Sequence, residues 1–302
     1  MAKNITTASE VSVARIPAST RTSNARRKGK ARSLIGSLAA HGVMIITVII
    51  CVFPLLIIIS TSFKPTNDVF DLKIIPVHFT WSNYEAVLSG NFITWLLNSL
   101  KIGVMTTLVG LALAAPAAYA VSRWRFLGKQ GLLLFFLATQ MFPGVLLIVP
   151  LYILFAQLHL LDNIFGLVVA YATTALPFSV WMLKNFFDTV PRELDEAAHV
   201  DGLGPFQTFW RIVMPLTIPG IAVVAFFNFM TAWNEFMMSY TFLQSDANLT
   251  LAVGIQRYVN QFGADWQYLT AAAVLITLPV LIIFMWVQRY LITGLTGGSV
   301  KG

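Results

Sequence analysis

Charge in this sequence is confined to the gaps between long apolar runs, and that confinement limits the chain to folds a membrane can host. Six intervals, 33–63, 102–122, 131–161, 163–183, 212–234 and 266–288, contain no Asp, Glu, Lys or Arg, with Lys101 bordering the second. About 20 helical residues cross a hydrocarbon core of about 30 Å, so each interval is long enough to span. Only 11% of the 302 residues are charged, against roughly a quarter in a soluble domain. The pattern predicts an all-α integral membrane protein with six transmembrane helices, at about 38–62, 98–122, 131–157, 163–186, 211–235 and 267–290. Pro143 and Pro150 are expected to kink the third or end it early.

Residues 1–32 are rich in Ser, Thr, Ala, Arg and Lys without apolar periodicity, which predicts a disordered basic tail. The run after it is too long for a signal-peptide core and reads as a retained first span. Eight basic residues lie in the tail, three in the second-to-third loop, three in the fourth-to-fifth loop and two near the C-terminus, against four (Lys64, Lys73, Lys101, Arg257) on the other side. Sixteen to four puts both termini, including a C-terminal tail at 291–302, in the cytosol. The net charge of +7 therefore sets topology. It leaves no folded basic and aromatic surface for nucleic acid.

No catalytic or metal centre is legible. Cys51 is the only cysteine and reads as packing, and the four histidines are scattered without the i, i+4 pairing of a helical zinc site. The spans carry no mid-membrane ionisable group to couple transport to an ion. Lys101 is expected to snorkel to the interface, and Glu235 to be an interfacial charge or part of a gate. No GxxxxGK[ST] phosphate cradle is present, so ATP hydrolysis on this chain is not expected. An active transporter of this kind takes its energy from another subunit, which needs a docking element.

The cytosolic loop at 190–214, between spans four and five, supplies one. Pro191 suits a first helical turn, Glu193, Asp195 and Glu196 favour the positive helix start, and Gly202 is placed as a stop. Leu194, Ala197, Ala198 and Asp201 recur at i, i+3, i+4, i+7, a face with small residues that a partner could approach. Gly202 to Pro205 then break direction before a second amphipathic piece, 206–213. A loop lying on the membrane surface is the alternative, but five acids (Asp188, Glu193, Asp195, Glu196, Asp201) would be repelled by anionic lipid. Contact with another protein is favoured.

Glu196-Ala197-Ala198, three residues, Gly202, nine residues, then Ile212-Val213-Met214-Pro215 resembles the EAA motif (EAA, x3, G, x9, I-x-L-P) of ATP-binding-cassette importer permeases, with Met214 in place of Leu. Phe53-Pro54-Leu55, Tyr119 to Arg123, Gln140 to Pro143, Leu249 to Gly254 and the Gly-rich end 294–302 resemble the carbohydrate-uptake type. They are most similar to the smaller permease subunit of the maltose/maltodextrin importer.

That resemblance implies a multi-pass subunit of a bacterial or archaeal plasma membrane. Its partners would be a second permease, two ATPase subunits that bind ATP and Mg, and an extracytoplasmic sugar-binding protein; no cofactor would sit on this chain. Glu196, Ala197, Ala198, Asp201, Gly202 and Pro215 would form the ATPase coupling element, with Glu196 meeting a basic residue of the ATPase. Gln256, Tyr258, Asn260 and Gln261 would belong to a scoop loop that enters the binding protein's sugar site. Gln140, Asn228, Thr231 and Asn234 are candidate pathway residues, each equally suited to a helix–helix hydrogen bond. The implied cargo is an oligosaccharide of the maltose, maltodextrin or trehalose type. The rivals are another solute such as glycerol phosphate, for which basic residues in the spans are missing, and a secondary carrier.

Overall fold

The computed structural model describes residues 22–260 and 263–296. In chain order the helices are α1 Thr22–Ser62, α2 Ser82–Ser89, α3 Phe92–Arg123, α4 Lys129–Met141, α5 Ile148–Gln157, α6 Ile164–Asp188 and α7 Glu193–Val200. There follow α8 Pro205–Thr208, α9 Met214–Leu216, α10 Ile218–Asn234, α11 Met237–Phe242, α12 Leu251–Gly254 and α13 Trp266–Thr296. One two-residue ladder, β1 Val259–Asn260 against β2 Gly263–Ala264, pairs Val259 with Ala264 and Asn260 with Gly263. The expected all-helical class holds apart from this ladder.

Four helical stretches are long and apolar enough to cross a membrane: Ala39–Ser62, Phe92–Arg123, Ile164–Asp188 and Trp266–Leu291. Two further candidates are bent pairs, Lys129–Met141 with Gly144–Gln157 at 94° and Pro205–Leu216 with Ile218–Asn234 at 81°, so the count is four to six. The first bend sits at Phe142-Pro143, where Phe142 turns extended (ψ 127°) because the following proline ring excludes the helical conformation. Pro150 causes no break, because it falls in the first turn of α5, where a missing N–H costs nothing. The second bend, at Thr217, falls inside the expected fifth span: residues 211–216 belong to the piece that meets α10 at 81°.

Two helices run on beyond their membrane stretches: α1 begins at Thr22, within residues 1–32, and α13 continues to Thr296. Ala, Arg and Lys are good helix formers, so a helix can extend beyond its apolar stripe on propensity. The chain divides into two compact units between Leu56 and Ile57. In the first, Cys51, which was expected to pack, is exposed.

In the second unit α3 is the central helix, packed chiefly on α6 and α10. Its two halves lie in two separate buried clusters. Phe92, Trp95 and Ile102 join Tyr171, Phe229, Phe242 and Leu251, while Ala114, Ala115, Ala118 and Tyr119 join Val180, Phe187, Phe209 and Val213. The small residues let helices approach closely, which is what drives association in lipid, where burial from water no longer contributes.

Candidate functional site

Helix α7 is held at both ends by its own chemistry. Glu193, Asp195 and Glu196 occupy its first turn, facing the positive end of the helix dipole. At the other end Gly202 takes φ +82°, and the Gly202 N–H donates to the His199 carbonyl (3.0 Å) and the Leu203 N–H to that of Ala198 (2.9 Å). This pair of bonds is a Schellman cap, which needs a left-handed residue; only glycine adopts that conformation without steric cost.

The second piece contains one wide turn. The Met214 N–H reaches back five residues to the Phe209 carbonyl, and Pro215, having no N–H, cannot restore the four-residue spacing. Pro215, expected in the coupling element, thus shapes the joint between this piece and α10.

The loop is clamped to the C-terminal end of α3. The Tyr119 hydroxyl donates to Asp195 Oδ1 at 2.9 Å, and Arg123 Nε lies 2.9 Å from Asp195 Oδ2. Both charges are largely buried, the side chains of Arg123 and Asp195 being 8% and 13% exposed. Arg123 Nη2 also donates to the Val190 carbonyl and Arg192 Nη2 to that of Ser122, each at 3.1 Å. Ser122 Oγ donates to Asp188 Oδ1 at 2.6 Å, and Asp188 pairs with Lys184 one turn earlier. The Tyr119 ring packs against Phe209 at 4.9 Å between centroids. A hollow of about 170 Å³ beside the clamp is lined by Tyr119, Arg123, Arg192, Asp195, Glu196 and His199 among others.

This clamp decides which face of α7 is free. Ala198 is buried at 2% exposure, whereas Glu193, Glu196, Ala197 and Val200 are exposed. These four recur at i, i+3, i+4, i+7, so the outward face differs from the expected set of Leu194, Ala197, Ala198 and Asp201. Ala198 faces inward; Leu194, Ala197 and Asp201 remain exposed. Glu196 makes no side-chain bond among the described residues.

At the N-terminal end of α3 a second loop is docked. Asn98 Nδ2 donates to the carbonyls of Ala247 (2.7 Å) and Leu249 (3.1 Å), and the Leu251 N–H donates to Ser99 Oγ (2.8 Å). Gly254 is required there, because a Cβ on it would collide with the Trp95 ring. Of the expected scoop residues, Gln256 is exposed. Tyr258 is half-buried, edge-on to Trp95 at 6.5 Å, and burial pushes its phenol above the ordinary value of 10.0. Asn260 is in the short ladder, and Gln261 lies outside the described residues.

Asp162, at φ +52°, anchors the start of this loop. Its Oδ1 accepts from the N–H groups of Gln244 and Ser245, both at 3.0 Å, and from Ser245 Oγ at 2.9 Å. The Asn248 amide donates to the Asp162 carbonyl at 2.6 Å. Burial alone would raise the Asp162 pKa, but these bonds outweigh it and hold the carboxyl below its ordinary value of 3.8.

The four pathway candidates each have local partners. Asn228 is buried with Oδ1 accepting from Ser179 Oγ at 2.8 Å, and its Nδ2 has no partner among the described residues. Thr231 and Asn234 are exposed and bond their own helix at Phe227 and Met230, while Gln140 is exposed with Nε2 3.3 Å from the Thr174 carbonyl. Glu235 accepts from the Met238 N–H (2.7 Å), the Ser239 N–H (3.1 Å) and the Tyr171 hydroxyl, so it caps α11 and ties it to α6. Lys101, ten residues into α3, is exposed.

Sequence reasoning missed the clamp. Tyr119 and Arg123 stood out only in a shared segment and Arg123 in the charge count; the excess of acid in the loop was the one available signal.

Residues 107–297 match the family described as "Binding-protein-dependent transport system inner membrane component". The trehalose transport system permease protein SugB of Mycobacterium tuberculosis is 37% identical, over 82% of this chain and 92% of that protein. The maltose/maltodextrin transport system permease protein MalG of Yersinia pestis is 36% identical, over 88% of this chain and 93% of that one. In fold the chain resembles a subunit of a bacterial ABC transporter involved in alginate import, with a TM-score of 0.76 and 23% identity over 86% of this chain and 97% of that one. With well over half its length matched and these relatives covered nearly end to end, the chain belongs to the family of binding-protein-dependent transport system inner membrane components, and it is a multi-pass membrane protein.

Proposed function

We propose that this chain is the permease subunit of an ATP-driven importer for an oligosaccharide of the maltose, maltodextrin or trehalose type, the cargoes in its relatives' names. It works beside a second permease, two ATPase subunits that hold ATP and Mg, and an extracytoplasmic sugar-binding protein. The observation that carries this reading is the Asp195 clamp, which fixes a short rod to the end of a membrane helix and leaves Glu193, Glu196, Ala197 and Val200 bare for an ATPase. With both termini cytosolic, as the basic residues favour, the clamp lies on the ATPase side and the loop held by Asn98 and Ser99 on the binding-protein side.

ATP-driven closure of the ATPases would push the rod and α3 together, turning the spans from inward-open to outward-open. Binding-protein docking outside biases the same two-state equilibrium, so each event promotes the other. The test is transport by the reconstituted complex. Glu196→Lys, placing a cation on the exposed face, and Gly202→Asp, placing a side chain at φ +82°, are expected to abolish sugar-stimulated ATPase activity and uptake with the protein still in the membrane. Normal uptake in both variants would refute the assignment.

A further inference from the structure

Residues 64–81, between α1 and α2, carry a bare apolar surface. Phe70, Leu72 and Ile75 are 79%, 80% and 81% exposed, with Val77, Phe79 and Trp81 also open. Such a concentration on one short segment marks an interaction surface.

Its tethers say where it lies. Ser60 Oγ donates to the Lys73 carbonyl at 3.1 Å, and the fully buried Lys64 donates from Nζ to the Asp71 carbonyl. Asn83 Nδ2 closes the base, donating to the carbonyls of Ser62 (2.9 Å) and Lys64 (2.8 Å). The segment is thus folded back along the last turn of α1, where the apolar run of a membrane span gives way to Ser60-Thr61-Ser62. Ile58 and Ile59, in the last turns of α1, are exposed as well.

The segment is also two-sided. Asp71 and Lys73 pair at 3.2 Å, so they share one side of the extended run and leave Leu72 on the other. Asp68 and His78 meet at 2.8 Å across the loop. Phe79 stacks on Phe63 at 4.8 Å and Trp81 meets it edge-on at 5.0 Å, the aromatic content expected at the boundary between lipid and water.

We propose that this segment is a membrane-surface anchor that buries Phe70, Leu72 and Ile75 in the leaflet at this end of α1, with the Asp71–Lys73 ion pair and the Asp68–His78 hydrogen bond held at the headgroups. Unpaired apolar side chains beside a span end gain lipid contact, while the polar pairs stay hydrated. The anchor would fix the height of α2 and the start of α3 relative to the bilayer. It requires only that α1 spans the membrane, so its failure would leave the transport reading intact.

Nitroxide accessibility tests it. In the complete complex reconstituted in vesicles, with Cys51→Ser, single labels at Leu72→Cys and Ile75→Cys are compared with Asn67→Cys, an exposed polar position. The expected result is stronger collision with oxygen than with a water-soluble nickel chelate at 72 and 75, and the reverse at 67. Nickel-dominated collision at 72 and 75 would place the surface in water and overturn the proposal. Low accessibility to both reagents would mean that a protein covers it, which overturns it equally. Phe70→Cys supplies a third position should either labelled complex fail to assemble.

Discussion

The two ends of α3 each hold a loop from a distant part of the chain, and they do so with opposite chemistry. At the N-terminal end, Asn98 and Ser99 satisfy backbone groups of residues 247–251 with neutral amide and hydroxyl bonds. At the C-terminal end, Tyr119 and Arg123 grip Asp195 through a buried charge pair. Neutral bonds to the main chain fix the path of the backbone whatever the side chains beyond it. A buried ion pair tolerates no loss of either partner, which suits a joint that bears load.

The comparison predicts unequal costs. Asp195→Ala leaves Arg123 buried and unpaired, a loss of about 3–5 kcal/mol for a pair of this kind. The expected outcome is a large drop in thermal stability of the purified complex and loss of coupled ATPase activity. A double variant with apolar residues of similar volume at 123 and 195 should regain most of the stability; if Asp195→Ala is silent, the clamp carries no load. Asn98→Ala orphans two carbonyls and should cost less, about 1–3 kcal/mol. It should leave basal ATPase activity intact and weaken stimulation by the binding protein; equal loss of both would erase the distinction between the two ends.

The smallest effect concerns pH. The Asp162 pKa is lowered on folding, so its contribution is present above the ordinary carboxylate value of 3.8 and is lost as pH falls through the folded value. The protection of the Gln244 and Ser245 amides, corrected for the intrinsic exchange rate, should therefore fall in acid, and Asp162→Asn should remove most of that dependence. An unchanged profile in the variant would assign the sensitivity to another group.

How much of this was legible depended on range. The spans could be read because charge is excluded from hydrocarbon, and the bend at Pro143 because a ring acts on its nearest neighbours. Helix α7 and its stop at Gly202 were readable for the same local reason. Its inward face was not, since eight residues give a periodicity without a direction. Asp195 turns inward only because Tyr119 and Arg123 arrive from over seventy residues earlier, and Asn98 meets residue 247 on equally remote terms. The short helices α2 and α11 escaped notice because pieces of eight and six residues carry too little pattern.

The central claim is that α7 and α3 move as one body through the transport cycle. Nitroxides at Leu97 and Asp201, both exposed, in the reconstituted complex with Cys51→Ser, read it by pulsed dipolar distance measurement. The account predicts one narrow distance distribution, unchanged between ATP-free and ATP-bound states, that broadens in Asp195→Ala. A distance that shifts by several ångströms on ATP binding with the clamp intact would contradict it.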